Sequence, residues 1–276
     1  MINLNEFREN IYQNEGIRQC PHYGEDGVIS KIFETIEPSR NPLIIEFGET
    51  RSLGTTTRSF RIKYASKAIY FTGDLSFKST ILNILDIFKI TIFRSTFKYL
   101  KFLFNLPFKY FVTPDNILDL FNRKNVKDID ILTIDIDSYD YFIAKKILDN
   151  SFKPRLLILE YNYSLGYNDS LSFPFPAPDI KISNKRAFGA SYNALSNLAS
   201  NYNYKLIHVS GFCNLFFIRE DYAHLFSSPN LKEDLIKNND DIIHFLDKHC
   251  QKGFLPSWFH DNPLNETDFT FFQRVE

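Results

Sequence analysis

Short runs of apolar, β-branched residues alternate along this chain with longer stretches in which apolar positions recur every three or four residues. Leu43 to Phe47, Ala68 to Phe71, Ile129 to Ile134 and Leu156 to Leu159 are too short for helices, and polar or turn residues bound each of them. They read as buried strands. Glu25 to Ile36, roughly Tyr139 to Leu148, and Tyr192 to Ser200 carry helical spacing instead. Strands alternating with helices predict parallel βαβ units. Lys205 to His208 and Leu215 to Ile218 flank Gly211 and read as a hairpin, which gives the sheet an antiparallel last strand.

Each predicted parallel strand ends on an acid. Glu46 closes the first, ahead of Gly48; Asp74 follows the second, Asp135 the third, and Glu160 the fourth. Open parallel sheets bind ligands outside the carboxyl ends of their strands, where the strand order reverses. An acid after a strand also caps the following helix, so each has a structural reading. Four together point to a polar site, with Glu46, Asp74, Asp135 and Glu160 expected to converge on one rim. Alternation along extended chain puts Asp137 on the side of Asp135, and Asn162 on the side of Glu160. Neighbouring carboxylates at a shared point require a cation or a shared proton.

Composition narrows the picture without supplying chemistry. The 276 residues fit one wound α/β domain with insertions, and 44% hydrophobic against 24% charged residues excludes a disordered chain. A net charge of −1 gives no global case for nucleic acid as partner. Cys20, Cys213 and Cys250 show no paired spacing, which argues against a disulfide framework or a zinc site and for a reducing compartment. Met1 to Asn10 lacks the basic start and apolar stretch of a secretory signal, so a cytoplasmic location is expected. No nucleophile motif, phosphate-binding loop or metal-binding His pair is present.

Several segments between about Gln19 and Arg219 resemble methyltransferase-like proteins related to the FkbM type. They are Tyr23-Gly24-Glu25-Asp26-Gly27, Ile45-Glu46-Phe47-Gly48 followed by Gly54, Thr113-Pro114-Asp115-Asn116-Ile117, Thr133 to Tyr141, and Leu159-Glu160-Tyr161-Asn162. Gly189-Ala190-Ser191 and the turn from His208 to Asn214 add a weaker likeness. The resemblance implies a Rossmann-like, seven-stranded, mostly parallel sheet of the class I methyltransferase type, with S-adenosylmethionine as cofactor. Glu46, Gly48, Gly54, Asp74 and Asp135 would bind it, Asp74 by accepting bonds from the ribose hydroxyls. The implied activity is O-methyl transfer to a sugar, in surface-glycan or related carbohydrate biosynthesis. Glu49, Thr50 and Arg51 stand where relatives carry an Asp-Gly pair. That departure supports the alternative, a non-catalytic binding or scaffold protein on a drifted fold.

A sugar hydroxyl is a poor nucleophile and needs help to lose its proton. Asp137 is the expected general base, with Asp135 beside it. By analogy with metal-dependent O-methyltransferases, Asp135, Glu160 and Asn162 would offer oxygen ligands to Mg²⁺ or Mn²⁺. Two segments would shape the acceptor side. Residues 163–188 form a proline- and aromatic-rich lid or substrate loop, whose rings either stack on a sugar or seal the core. Residues 76–112 form a helical insertion holding Lys78, Lys89, Arg94, Lys98, Lys101 and Lys109 against Asp86. It either packs in the core or a homo-oligomer interface, or touches lipid as a basic amphipathic patch.

Overall fold

The computed structural model describes residues 1–7, 24–48, 56–73, 75–179, 184, 187–210, 213–230 and 264–276. Its centre is a seven-stranded, mostly parallel, Rossmann-like sheet. The strands are β1 (Leu43–Phe47), β2 (Lys67–Thr72), β3 (Phe108–Lys109), β4 (Ile131–Ile134), β5 (Leu156–Glu160), β7 (Tyr204–Ser210) and β8 (Asn214–Arg219). Their order is β3-β2-β1-β4-β5-β8-β7, with β8 antiparallel to both neighbours. The hairpin expected near the end therefore inserts its second strand between β5 and β7.

Strict alternation inside these strands builds a core on each face. Ile45, Phe47, Leu132, Ile134, Leu157 and Leu159 enter one core. There they meet α4 (Ile117–Arg123), α5 (Asp140–Asp149) and α6 (Tyr192–Asn201), through residues such as Phe121, Ile147 and Leu198. Ile44, Ile131, Leu156, Ile158, Phe216 and Ile218 enter the other. It is closed by Val28, Ile29, Ile32 and Phe33 of α1 (Glu25–Ile36) and by Phe60 of α2 (Arg58–Tyr64). Both faces are covered, which is why the parallel strands read as unbroken apolar runs rather than alternating ones. Truncating a fully buried side chain such as Ile158 to alanine costs about 2–5 kcal/mol in cores of this kind.

The edge away from the strand carboxyl ends is tied by one buried ion pair. Asp130, fully buried just ahead of β4, accepts bonds from Ser39 N, Ser39 Oγ, Leu43 N and Arg155 Nη1 at 2.6–3.1 Å. Arg155 also donates to the carbonyls of Ile36 and Glu37 and lies 4.8 Å from the Tyr222 ring centre. The two side chains fasten the end of α1 to the starts of β1 and β5.

Residues 76–112 are not an insertion alone, because they end by supplying the edge strand β3. Before it come α3 (Phe77–Phe93), capped by Ser76 Oγ accepting from Ser79 N at 3.0 Å, and a 3₁₀ segment at Phe97–Asn105. A small core of Ile62, Ile87, Ile90, Tyr99 and Phe102 lies beneath them. The bidentate pair Arg58–Asp86 (2.7 and 3.3 Å) ties α3 to α2, and the Arg61 guanidinium is sandwiched between the rings of Tyr70 and Phe102.

The described part of 163–188 is anchored at several points. A 3₁₀ turn at Tyr163–Leu165 leads into β6 (Leu171–Ser172), which pairs with β9 (Gln273–Arg274) beyond the short helix α7 (Glu266–Phe269). Phe173 is buried against Phe188, and Phe175 packs edge-on to Tyr139 with ring centres 5.0 Å apart. Of the two roles open to these aromatics, sealing the core is the one the packing displays. The bond between Phe175 and Pro176 is cis.

Candidate active site

The strand order turns back between β1 and β4, which emerge side by side from the middle of the sheet. Gly48 follows β1 directly with φ +84°, and its N–H donates to Phe71 O at 2.9 Å. A β-carbon on Gly48 would lie 1.7 Å from the carbonyl oxygen of Asp135. The close approach that a glycine permits here is filled by the backbone leaving β4 rather than left open to a ligand.

Asp135 and Glu160 extend β4 and β5 toward this rim and come together there. Their carboxylate oxygens and the Cys213 sulfur lie within 4.8 Å of one another. Cys213 Sγ donates to Glu160 Oε1 at 3.5 Å, and Asp135 hydrogen-bonds Glu160. Burial, then the charge and hydrogen bond of Asp135, push Glu160 well above the usual carboxylate range. Burial raises the Cys213 thiol well above its ordinary value, and the charges of Glu160, Asp135 and Glu25 add to this. A thiol so held stays neutral and is no nucleophile.

Antiparallel β8 begins where its parallel neighbours end, so its first residues join the same rim. Asn214 lies opposite Glu160 in the ladder and donates from Nδ2 to Glu25 Oε1 at 2.6 Å. Glu25, fully buried, brings the start of α1 to this rim through that bond. Buried Asn214 Oδ1, Ser210 Oγ and Thr133 Oγ1 have no hydrogen-bond partner among the described residues.

Beyond Asp135 the chain leaves extended geometry. Asp137 has φ +50°, which ends the alternation that would set it beside Asp135 on a strand. Its residue is exposed at the mouth of the site, yet its carboxyl loses hydration among protein atoms and feels the Asp135 charge. Its pKa is pushed up to about 6. Solvent access keeps the energetic weight of that shift small. Asp140, 1% exposed at the start of α5, accepts from Ile136 N (2.9 Å) and Ser138 N (3.0 Å) and so fastens the loop carrying Asp137. Burial outweighs those two bonds and raises it to about 7.

Among the described residues, the expected convergence of strand-end acids brings together Asp135 and Glu160. Glu46 faces the same side of the sheet, but its carboxylate accepts from Thr57 Oγ1 (2.5 Å) and Thr56 N (3.3 Å), fastening the start of α2. Asp74 and Gly54 lie outside the described residues. Asn162 does not join the cluster, because β5 ends at Glu160 and its amide serves the next turn. Its Oδ1 accepts from Ser164 N at 3.0 Å, and its Nδ2 donates to Phe188 O at 2.7 Å.

Cys213 stands at the third corner beside Asp135 and Glu160. A neutral thiol at one corner does not suit Mg²⁺ or Mn²⁺, which take sets of oxygen ligands. Glu25, Asp140, Cys213 and Asn214 belong to the site and were not among its expected residues, although all four lie in segments that carry the resemblance. The signal for Asn214 was available, since alternation backward from Ile218 and Phe216 reaches it.

No family model matches the sequence, and no curated protein does. Solved structures similar to the chain include an SAH-bound methyltransferase of Podospora anserina, PaMTH1. It is 11% identical, with 78% of this chain and 86% of that one covered and a TM-score of 0.37. A SAM-dependent methyltransferase from Aquifex aeolicus is 9% identical over 79% of this chain and 99% of its own, with a TM-score of 0.33. The mitomycin 7-O-methyltransferase MmcR is 8% identical over 79% of this chain and 60% of its own, with a TM-score of 0.35.

Proposed function

We propose that the chain is an S-adenosylmethionine-dependent O-methyltransferase whose acceptor is a sugar hydroxyl. One observation carries the cofactor: at the point where the strand order reverses, the carboxyl groups of Asp135 and Glu160 crowd together beside Asp137 and the buried Asp140. Asp137, Asp140 and Glu160 all hold protons more tightly than free carboxyls do, through burial and through one another's charge. A ligand with a permanent positive charge relieves that crowding, and a sulfonium is such a charge. The rim fits it through Asp135 and Glu160, with Asn214 Oδ1 and Ser210 Oγ as buried acceptors still to be satisfied. The resemblance of the Gly48 and Asp135 segments to the FkbM type supports the same assignment.

When bound, the cofactor supplies an electrophilic methyl carbon. Asp135 and Glu160, on adjacent strand ends, would hold the positively charged end of the cofactor. Asp137 stands at the mouth as general base. With a pKa near 6 it is deprotonated at neutral pH, yet basic enough to take a hydroxyl proton as the oxygen becomes nucleophilic. Asp140 positions Asp137 through the two loop amides it holds. The sugar acceptor rests on the resemblance.

Calorimetric titration of the full chain with S-adenosylmethionine and with its demethylated product tests the reading. Binding of both is expected, at least about tenfold weaker for Asp135→Asn, which removes about 1.4 kcal/mol or more of charge interaction. Absence of heat with either compound would favour a non-catalytic binding protein.

A further inference from the structure

The outer face of α3 is apolar where a surface helix is ordinarily polar. Asn83, Ile87, Ile90 and Thr91 face inward and are buried. On the opposite side Phe77, Leu82, Leu85, Ile92 and Phe93 are 55–82% exposed. Positions 77, 81, 85, 88 and 92 follow helical spacing, so they form one stripe along the helix. The 3₁₀ segment after it continues the surface with Phe97 (82%) and Phe104 (89%). Isolated exposed apolar residues need no explanation, but a contiguous set does.

Charge decides what covers it. Residues 76–112 hold six basic side chains and one acid, in a chain whose net charge is −1. The acid, Asp86, is already paired with Arg58. Lys78 and Lys89 are exposed and sit within the apolar stripe; Lys98, Lys101 and Lys109 are exposed around it. Long lysine stems can lie along apolar surface while their ammonium groups reach outward. A second copy of the chain docking symmetrically would bring two like-charged faces together. An anionic bilayer offers the reverse, phosphate oxygens above hydrocarbon. No helix among the described residues is long and apolar enough to cross a membrane, so contact would be in the plane of the surface.

We infer that the outer face of α3 and the following 3₁₀ segment dock this protein on an anionic lipid bilayer. The inference is independent of the methyltransferase reading. The test is flotation of the full chain with vesicles of phosphatidylcholine alone and of phosphatidylcholine mixed with phosphatidylglycerol, with light scattering in parallel. Binding to the anionic vesicles only is expected, weakened by salt. The triple variant Leu82→Gln/Leu85→Gln/Ile92→Gln is expected to abolish it with an unchanged circular dichroism spectrum, since the three side chains are exposed. Lys78→Glu/Lys89→Glu is expected to weaken it by at least about fivefold per residue. Equal binding to both vesicle types, no binding to either, or anionic binding that survives the triple variant would overturn the inference. So would a dimer that the triple variant dissociates while vesicles remain unbound.

Discussion

Gly48 and Asp135 touch through their backbones: the carbonyl oxygen of Asp135 occupies the place where any side chain at position 48 would begin. Gly48→Ala therefore meets two penalties, a left-handed φ of +84° and a 1.7 Å overlap with backbone that cannot swing aside. We expect a loss of about 4 kcal/mol or more, at the extreme of single substitutions. Urea denaturation measures it. A variant of near-native stability would show that the two strand ends separate easily.

Asp140 predicts a stability that falls as pH rises. Its folded-state pKa of about 7 exceeds that of an unfolded aspartate, so the folded chain binds the extra proton between the two values. The protein is then most stable, as far as this group contributes, below about pH 4, and loses that contribution as the pH climbs through about 7. The change is no more than about 4 kcal/mol. Denaturation midpoints for wild type and Asp140→Asn at several pH values would test it, with a flatter profile expected for the variant.

For Asp137 the measurable quantity is rate. If it takes the acceptor's proton, turnover at saturating substrates rises with pH through about 6 and then levels. Asp137→Asn should remove that limb and slow turnover by about 10²- to 10⁴-fold, leaving cofactor binding within a few-fold of wild type. A variant that keeps the same limb would assign the base elsewhere.

At the opposite end of the sheet, Asp130→Ala should cost about 3–5 kcal/mol, because it strands Arg155 and two backbone amides. The rim lies on the other side of the strands, so cofactor affinity measured on the folded fraction should be unchanged. A matching loss of affinity would show that the two ends of the sheet are coupled.

The chemistry of the donor set makes a further prediction. A site in which a thiol stands beside two carboxyl groups is a poor seat for Mg²⁺ or Mn²⁺. Methyl transfer should therefore be indifferent to a chelator. Activity that vanishes with chelator and returns with either ion would require the three side chains to rearrange.

The sheet was legible because strands covered on both faces leave continuous apolar runs, whereas the turn back between β1 and β4 is not written in those runs. Side-chain placement at the rim was less so. Alternation assumes that a strand continues, yet β4 stops at Ile134 and β5 at Glu160. Asp137 and Asn162, three and two residues past those limits, obey turn chemistry instead. Cys213 meets Glu160 across a ladder between strands more than fifty residues apart, a proximity that no local spacing records. Edge strand β3 is two residues long, too brief to leave a pattern among the phenylalanines around it.

The reversed direction of β8 makes one wall of the acidic recess depend on pairing register. Asn214 shows its amide to Glu25 because it stands opposite Glu160. Sliding β8 by a single position against β5 would send every side chain to the other layer, burying the amide among α4 to α6 and offering Leu215 to the carboxyl groups. Lengthening or shortening that hairpin is thus a route by which this scaffold could exchange a polar recess for a greasy one while its parallel strands stay as they are.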